Sequence, residues 1–157
     1  MAGKAETGAK APDISLPSAD GKAVTLGEHR GRKIVLYFYP KDDTSGCTRQ
    51  AIDFTALKKA FEAADTVVVG ISPDSPQSHE RFSKKHKLDL VLASDEKRSA
   101  LEAYGVWTEK SMYGRKFMGV ERSTFLIGRD GRIAQVWRKV KVPGHAAEVL
   151  GAAQALA

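Results

Sequence analysis

The chain has 157 residues, of which 42% are hydrophobic and 28% charged, and a formal net charge of +6, an ordinary composition for one globular domain over residues 1–157. Its apolar runs are far shorter than the roughly 20 residues that cross a bilayer, so we expect no membrane-spanning segment. Residues 1–11 carry charges and no apolar stretch, so we expect no secretory signal and a cytoplasmic location. Residues 1–10 are expected to be flexible.

The predicted elements alternate between strands and helices, which favours an α/β fold with a central mixed sheet flanked by helices. Residues 13–26 alternate around a turn signal at 18–21 and predict an N-terminal β-hairpin that covers a sheet edge. Residues 33–39 are continuously apolar and β-branched or aromatic, which predicts a strand buried on both faces. From Cys47 onward, apolar residues recur at helical spacing and predict a helix of about four turns with Thr44 or Ser45 as its N-cap.

The second half of the chain continues the alternation. A strand is predicted at 66–72, a helix ending near Lys87, a strand at 91–94 and a short helix at 97–104 that Gly105 closes. Residues 106–121 show no clean period, so we expect a loop that folds over a pocket. Strands at 123–127 and 132–137 flank a hairpin turn, and residues 144–156 predict a last, Ala-rich helix.

Two histidines, His79 and His86, lie seven residues apart on one predicted helix. They share a face, but their acidic neighbours do not form a metal-binding pattern. We therefore expect both to be surface residues, and we expect neither a metal nor an organic cofactor.

Cys47 is the single cysteine, so an internal disulfide is excluded. It falls at the start of a helix directly after a buried strand and a turn that contains proline. Free N–H groups and the positive dipole end of a helix stabilise a thiolate, the reactive form of cysteine. The alternative interpretation is a small buried hydrophobe, which free cysteines often are. Ser45, Gly46 and Thr48 are poor neighbours for such a core position.

A helix end does not suffice to ionise a thiol at neutral pH. Bringing an ordinary thiol from a pKa of ~8.5 to about 6 takes about 3.4 kcal/mol, whereas a helix terminus contributes ~0.3–1 kcal/mol. A hydroxyl and a fixed cation are therefore also required. Thr44 is the candidate hydroxyl, and Arg122 and Arg49 are the candidate cations, since arginine stays charged when partly buried.

The segment from Tyr37 to Gln50, YFYPKDDTSGCTRQ, resembles the peroxiredoxin signature Pro-x-x-x-Thr/Ser-x-x-Cys, with Pro40, Thr44 and Cys47 at its three fixed positions. The likeness extends over nearly the whole chain and includes the segments VVVGISPDSPQSHERF, YGVW and ERSTFLIGRDGRI. The chain as a whole resembles the peroxiredoxin Q group, also called bacterioferritin comigratory proteins. This resemblance implies a thioredoxin-like fold and a thiol peroxidase that reduces hydrogen peroxide and organic hydroperoxides.

The resemblance also implies roles for individual residues. Cys47 is then the peroxidatic cysteine, which a hydroperoxide oxidises to a sulfenic acid. Thr44 is its hydroxyl partner, Arg122 the cation and Pro40 the shield from solvent. Backbone N–H groups at Gly46 and Cys47 join them in stabilising the departing oxygen.

The chain departs from the family pattern in lacking a second, resolving cysteine. Many relatives carry one five residues after the first, where this chain has Ile52, or on the following helix, near Ser83. A natural absence and a replacement of cysteine by Ser83 are both compatible with the sequence. As it stands, the chain predicts a one-cysteine enzyme reduced by an external thiol (thioredoxin, glutaredoxin or glutathione), and a monomer or weak dimer.

Two other functions compete with a peroxidase. A non-enzymatic redox sensor or chaperone would use oxidation of Cys47 to change partner binding. A nucleic-acid-binding domain would use the basic excess, but the clusters at 84–87 and 138–141 are short and no known DNA-binding spacing accompanies them. We therefore expect no nucleic-acid partner.

Overall fold

The computed structural model describes residues 5–157. The strands are β1 Ser15–Pro17, β2 Ala23–Thr25, β3 Lys33–Phe38, β4 Thr66–Ser72, β5 Val91–Ser94, β6 Trp107–Met112, β7 Arg115–Val120, β8 Ser123–Ile127 and β9 Ile133–Trp137. The helices are α1 Ser45–Ala56, α2 Lys58–Ala63, α3 Pro76–His86, α4 Ser99–Ala103 and α5 His145–Ala155, with a 3-10 turn at Leu26–His29. No helix within residues 5–157 has the length and apolar character needed to span a membrane.

Five strands form a mixed sheet in the order β5-β4-β3-β8-β9. The three strands β3, β4 and β5 run parallel, whereas β8 pairs antiparallel with both β3 and β9. β3 is therefore central, and every one of its residues is buried. The predicted mixed sheet flanked by helices is confirmed.

Successive residues of β3 point to opposite faces of the sheet and so enter two different cores. On one face, Ile34, Leu36 and Phe38 pack with residues of β1, β2 and α4. On the other face, Val35 and Tyr37 pack with Cys47 and with residues of α1, α2, α3 and α5. Burial on both sides explains the unbroken apolar run in the sequence.

The predicted N-terminal hairpin is confirmed as β1–β2, which pair antiparallel. It covers the edge of the sheet at β5, where the amide of Ala19 donates to the carbonyl of Leu92 at 3.2 Å. Part of the segment predicted to be flexible, residues 1–4, lies outside the described residues. Within the rest, Ala5 is buried and the amide of Gly8 donates to the carbonyl of Ile133 at 2.8 Å.

The single helix predicted from Cys47 onward is wrong in one respect. It divides into α1 and α2 at Leu57, whose φ of −100° and ψ of 7° depart from helical values. The sequence around Leu57 contains neither Gly nor Pro, so no residue type signals this break.

The loop predicted at 106–121 is also wrong, because these residues form the antiparallel pair β6–β7. Tyr113 and Gly114, both at positive φ, make its two-residue turn. The strands are largely exposed, and Met112, Tyr113, Phe117 and Met118 face solvent. Because neither face of the pair is buried, the sequence lacks the alternation that marks a strand.

Candidate active site

The first turn of α1 holds Cys47 at the carboxyl end of the central strand. β3 ends at Phe38, the chain turns through residues 39–44, and Thr44 occupies the N-cap position of α1 with extended φ and ψ. The amides of residues 45–47 therefore lie in the first turn, where N–H groups have no acceptor within the helix. Cys47 thus lies in the first turn, at the positive end of the helix dipole.

Cys47 is only 2% exposed and packs within the core between the sheet and α1. Arg122, in the short link between β7 and β8, donates from Nη2 to Cys47 Sγ at 3.1 Å. Pairing of β8 with β3 places this link beside the start of α1. The contact places a guanidinium, a fixed cation, directly beside the buried sulfur.

Gln50 is a buried site residue that the sequence did not predict. It lies one turn after Cys47 on α1, and its Oε1 accepts from Arg122 Nη1 at 2.5 Å. The guanidinium is thus held by Cys47 and Gln50 together. The available signal was the spacing of three residues, which puts a polar side chain on the same helix face as Cys47.

Two other predicted residues flank the guanidinium differently. Gly46 lies against it, and a methyl group at Gly46 would sit 3.4 Å from Nη2 of Arg122, in ordinary contact. Arg49, the other candidate cation, points to solvent with 72% of its side chain exposed and pairs with Asp53 at 3.1 Å. The structure therefore places Arg122 at the thiol and Arg49 in a surface ion pair.

Thr44 lies in the exposed turn before α1, and its hydroxyl donates to the carbonyl of Lys41 at 2.9 Å. It does not cap the helix with its side chain. A hydroxyl has one proton and two lone pairs, so the Thr44 oxygen can accept a hydrogen bond while it donates to Lys41. Pro40 is half-buried at the beginning of the same turn.

The prediction that His79 is a surface residue is wrong. Its side chain is fully buried, with Nδ1 at 2.7 Å from Asp42 Oδ2 and Nε2 at 3.0 Å from the carbonyl oxygen of Ala93. Tyr39 donates to the other carboxylate oxygen of Asp42 at 2.6 Å. His86 is partly exposed and pairs with Asp43. The buried partner of His79 lies 37 residues away in the chain, so helical spacing alone did not reveal it.

Asp42, Asp74 and His79 bring ligand-type atoms within 4.8 Å of one another, a donor set that suits a metal ion. The atoms of this group already hydrogen bond within the protein. Close by, burial raises the pKa of Tyr39 well above its ordinary value, so its phenol stays protonated as a donor to Asp42. Burial does the same for the pKa of Tyr37, and a negative charge on Cys47 adds to this rise.

Comparisons with known proteins show the family to which the chain belongs. A model of the AhpC/TSA family matches residues 7–136. Peroxiredoxin Bcp of Bacillus subtilis is 48% identical over 145 residues, which cover 92% of this chain and 92% of that protein. The solved bacterioferritin comigratory protein of Xanthomonas campestris is 42% identical with a TM-score of 0.88, covering 99% of this chain and 98% of its own. Peroxidoxin BcpB of Mycobacterium tuberculosis is 30% identical with a TM-score of 0.85, covering 97% and 98%.

The chain therefore belongs to the AhpC/TSA family. Its relatives are peroxiredoxins of the Bcp and Q type, so the predicted family and thioredoxin-like fold are confirmed. The chain is a thiol-dependent peroxidase with one cysteine, Cys47.

Proposed function

We propose that Cys47 is the peroxidatic residue and that the enzyme reduces hydrogen peroxide and small organic hydroperoxides. The observation that carries the proposal is the 3.1 Å hydrogen bond from Arg122 Nη2 to Cys47 Sγ at the start of α1. It supplies the fixed cation that a reactive thiolate needs at neutral pH. The related bacterioferritin comigratory protein of Xanthomonas campestris has alkyl peroxide reduction activity, which supports the inclusion of organic substrates.

In the first step the Cys47 thiolate attacks the distal oxygen of the hydroperoxide. A sulfur–oxygen bond forms, the oxygen–oxygen bond breaks, and the sulfur is oxidised by two electrons to the sulfenic acid. The departing oxygen takes a proton and leaves as water or an alcohol. Arg122 and the free amides at Gly46 and Cys47 stabilise the negative charge that develops on this oxygen.

Thr44 orients the peroxide for this attack. Its own proton is directed to the carbonyl of Lys41, so its oxygen accepts a hydrogen bond from the O–H group of the peroxide. Pro40, at the beginning of the same turn, shields the reacting atoms from bulk water. Positioning of this kind raises the rate without further acidification of the thiol, which would lower its nucleophilicity.

An external thiol completes the cycle, because neither Ile52 nor Ser83 can form a disulfide with Cys47. The thiol condenses with the sulfenic acid, releases water and leaves a mixed disulfide on Cys47. A second thiol then breaks that disulfide and regenerates the Cys47 thiolate. Glutathione, glutaredoxin and thioredoxin are candidate reductants. Since cells keep such thiols reduced in the cytosol, we place the enzyme in the cytoplasm. We further propose that it acts as a monomer or weak dimer.

Turnover separates this proposal from a redox sensor. With excess glutathione or reduced thioredoxin, we expect the protein to consume many equivalents of hydrogen peroxide, and Cys47→Ser to consume none. The measurement is peroxide remaining against time, with mass spectrometry to locate a sulfenic acid or mixed disulfide on Cys47. Consumption that stops at about one equivalent with every thiol supplied would favour a sensor and contradict the proposed cycle.

A further inference from the structure

The peptide unit between Lys41 and Asp42 is held at both of its polar groups. Its carbonyl, on Lys41, accepts from the Thr44 hydroxyl at 2.9 Å. Its amide, on Asp42, donates to Asp74 Oδ2 at 2.8 Å. The carbonyl and amide of one trans peptide lie in a plane and point in opposite directions, so fixing the N–H also fixes the C=O.

Asp74 is itself fixed to the sheet. Its Oδ2 also accepts from the hydroxyl of Ser72 at 2.6 Å, and its amide donates to the same hydroxyl at 3.2 Å. Ser72 is the last residue of β4, fully buried and paired with Ser94 of β5. The carboxylate of Asp74 thus links the 41–42 peptide to the central sheet, and this link fixes the direction of the Lys41 carbonyl.

The side chain of Asp42 is anchored to α3. Its carboxylate accepts hydrogen bonds from the hydroxyls of Ser78, at 2.8 Å, and Tyr39, and it lies 2.7 Å from Nδ1 of His79. Both ring nitrogens of His79 lie within hydrogen-bond distance of oxygen atoms, Asp42 Oδ2 and the carbonyl oxygen of Ala93. A buried contact between His79 and Asp42 therefore supports the same residue whose amide Asp74 holds.

We propose that Asp74 is a positioning residue for the peroxide step, which holds the 41–42 peptide so that the Lys41 carbonyl orients the Thr44 hydroxyl. This inference rests on the proposed role of Thr44 as the acceptor for the peroxide O–H group. Asp74 acts only through that peptide, since the described contacts of the Cys47 sulfur run to Arg122. It therefore governs the reaction with peroxide and leaves the ionisation of the thiol alone.

The first test compares two reactions of Cys47 in Asp74→Ala. We expect the rate constant for oxidation by hydrogen peroxide to fall about 10-fold, because one orienting hydrogen bond is lost. Alkylation by iodoacetamide, which needs the thiolate but no oriented hydroxyl, should keep its rate-against-pH profile within about twofold. Asp74→Asn retains an oxygen acceptor for the Asp42 amide and should recover most of the peroxide rate. Failure of Asp74→Asn to recover it would overturn the proposed contact.

A double-mutant cycle with Thr44→Val identifies the route. If Asp74 acts through Thr44, Asp74→Ala should change the peroxide rate by less than about twofold once Thr44 is already valine. Equal slowing in both backgrounds would overturn the inference while leaving the role of Thr44 intact. An unchanged peroxide rate in Thr44→Val alone would instead show that the proposed role of Thr44, and with it this inference, is wrong.

Asp43→Gly is the matched control. Asp43 lies in the same turn and also tethers it to α3, through exposed pairs with Lys85 at 2.6 Å and His86 at 2.7 Å, which glycine removes. Glycine tolerates the positive φ of 61° at this position. We expect its peroxide rate to stay within about twofold of the wild-type rate. Slowing as large as that of Asp74→Ala would mean that any tether of the turn suffices, which overturns a specific role for Asp74.

Discussion

At the scale of single residues, the reactivity of Cys47 combines effects of unequal size. The helix N-terminus contributes ~0.3–1 kcal/mol towards the thiolate, whereas a hydrogen bond from a charged donor contributes about 1.5–3 kcal/mol. We therefore expect the guanidinium of Arg122, which Gln50 also holds, to make the larger contribution. Burial of the sulfur strengthens this hydrogen bond, since the local dielectric constant is low.

Replacement of Arg122 tests this ranking. We expect Arg122→Met to shift the alkylation-against-pH profile of Cys47 to higher pH and to slow oxidation by hydrogen peroxide roughly 10- to 100-fold, since a charged hydrogen bond is lost. Stopped-flow oxidation and iodoacetamide labelling across pH measure the two effects.

Arg49→Met is the control for that substitution, because Arg49 is on the same helix as Cys47 but pairs with Asp53 at the surface. Removal of an exposed pair should leave both profiles nearly unchanged. If Arg49→Met matched the effect of Arg122→Met, the net charge near the helix rather than the 3.1 Å contact would determine the ionisation of Cys47.

At the scale of elements, the polar groups that hold the turn before α1 come from the carboxyl ends of β3, β4 and β5. The three strands are parallel neighbours, so the residues that follow them meet at one edge of the sheet. Asp42 comes from the first of these ends and Asp74 from the second, and at the third the carbonyl oxygen of Ala93 lies 3.0 Å from Nε2 of His79. The helix α3 then closes the group with His79.

Close contact between β3 and β4 requires glycine at residue 70. A β-carbon at Gly70 would lie 2.7 Å from the ring Cζ and hydroxyl oxygen of Tyr37 and 2.9 Å from a methyl carbon of Leu92. We expect Gly70→Ala to lower the free energy of unfolding by about 1–3 kcal/mol through overpacking, as measured by urea denaturation.

The matched control for this change is Gly151→Ala. Gly151 lies within α5, and a β-carbon there meets nothing within 4 Å among the described residues. At this exposed position of the helix, alanine should stabilise the fold by about 0.5–1 kcal/mol. If Gly70→Ala also proved stabilising, that result would contradict the close packing of the Tyr37 ring against Gly70.

At the scale of the whole molecule, α5 closes the core that contains Cys47. His145, at the start of α5, is buried, and its Nε2 lies 2.8 Å from the Thr124 hydroxyl on β8. Its ring also packs edge-on against Phe54 of α1. Burial lowers the pKa of His145 below its ordinary value of 6.5, and the nearby Arg122 lowers it further, against an opposing effect of Glu148.

This shift predicts how the stability of the fold depends on pH. Below its ordinary pKa of 6.5, His145 binds a proton in the unfolded chain but resists it in the folded one. Its stabilising contribution is therefore complete above that pH and is lost as the pH falls. We expect the urea midpoint to drop between about pH 7.5 and 5.5, and to drop less in His145→Gln.

His29→Gln, at a half-buried histidine on the 3-10 turn, is the control for the loss of any one histidine. It should retain the pH dependence of the wild-type protein. An identical drop in His145→Gln and wild type would mean that other groups account for the acid sensitivity.

The sequence by itself determined the alternating elements, the doubly buried strand β3 and the cysteine at the start of a helix. These features follow from patterns within a few residues, such as the apolar run at 33–39 and the Pro40, Thr44 and Cys47 spacing, which local chemistry dictates. The same patterns carried the resemblance to peroxiredoxins.

The residue pattern alone left Arg49 and Arg122 as candidate cations, and the resemblance to peroxiredoxins favoured Arg122. The tertiary structure shows the contact itself, because pairing of β8 with β3 places Arg122 at the sulfur. It also placed His79 in the core, since its partner Asp42 lies on a different element. The pair β6–β7 was not predicted because its strands are largely exposed. A strand shows alternating apolar and polar residues only where one of its faces is buried. Contacts between distant residues depend on strand order and register, and these are set by the packing of the whole chain.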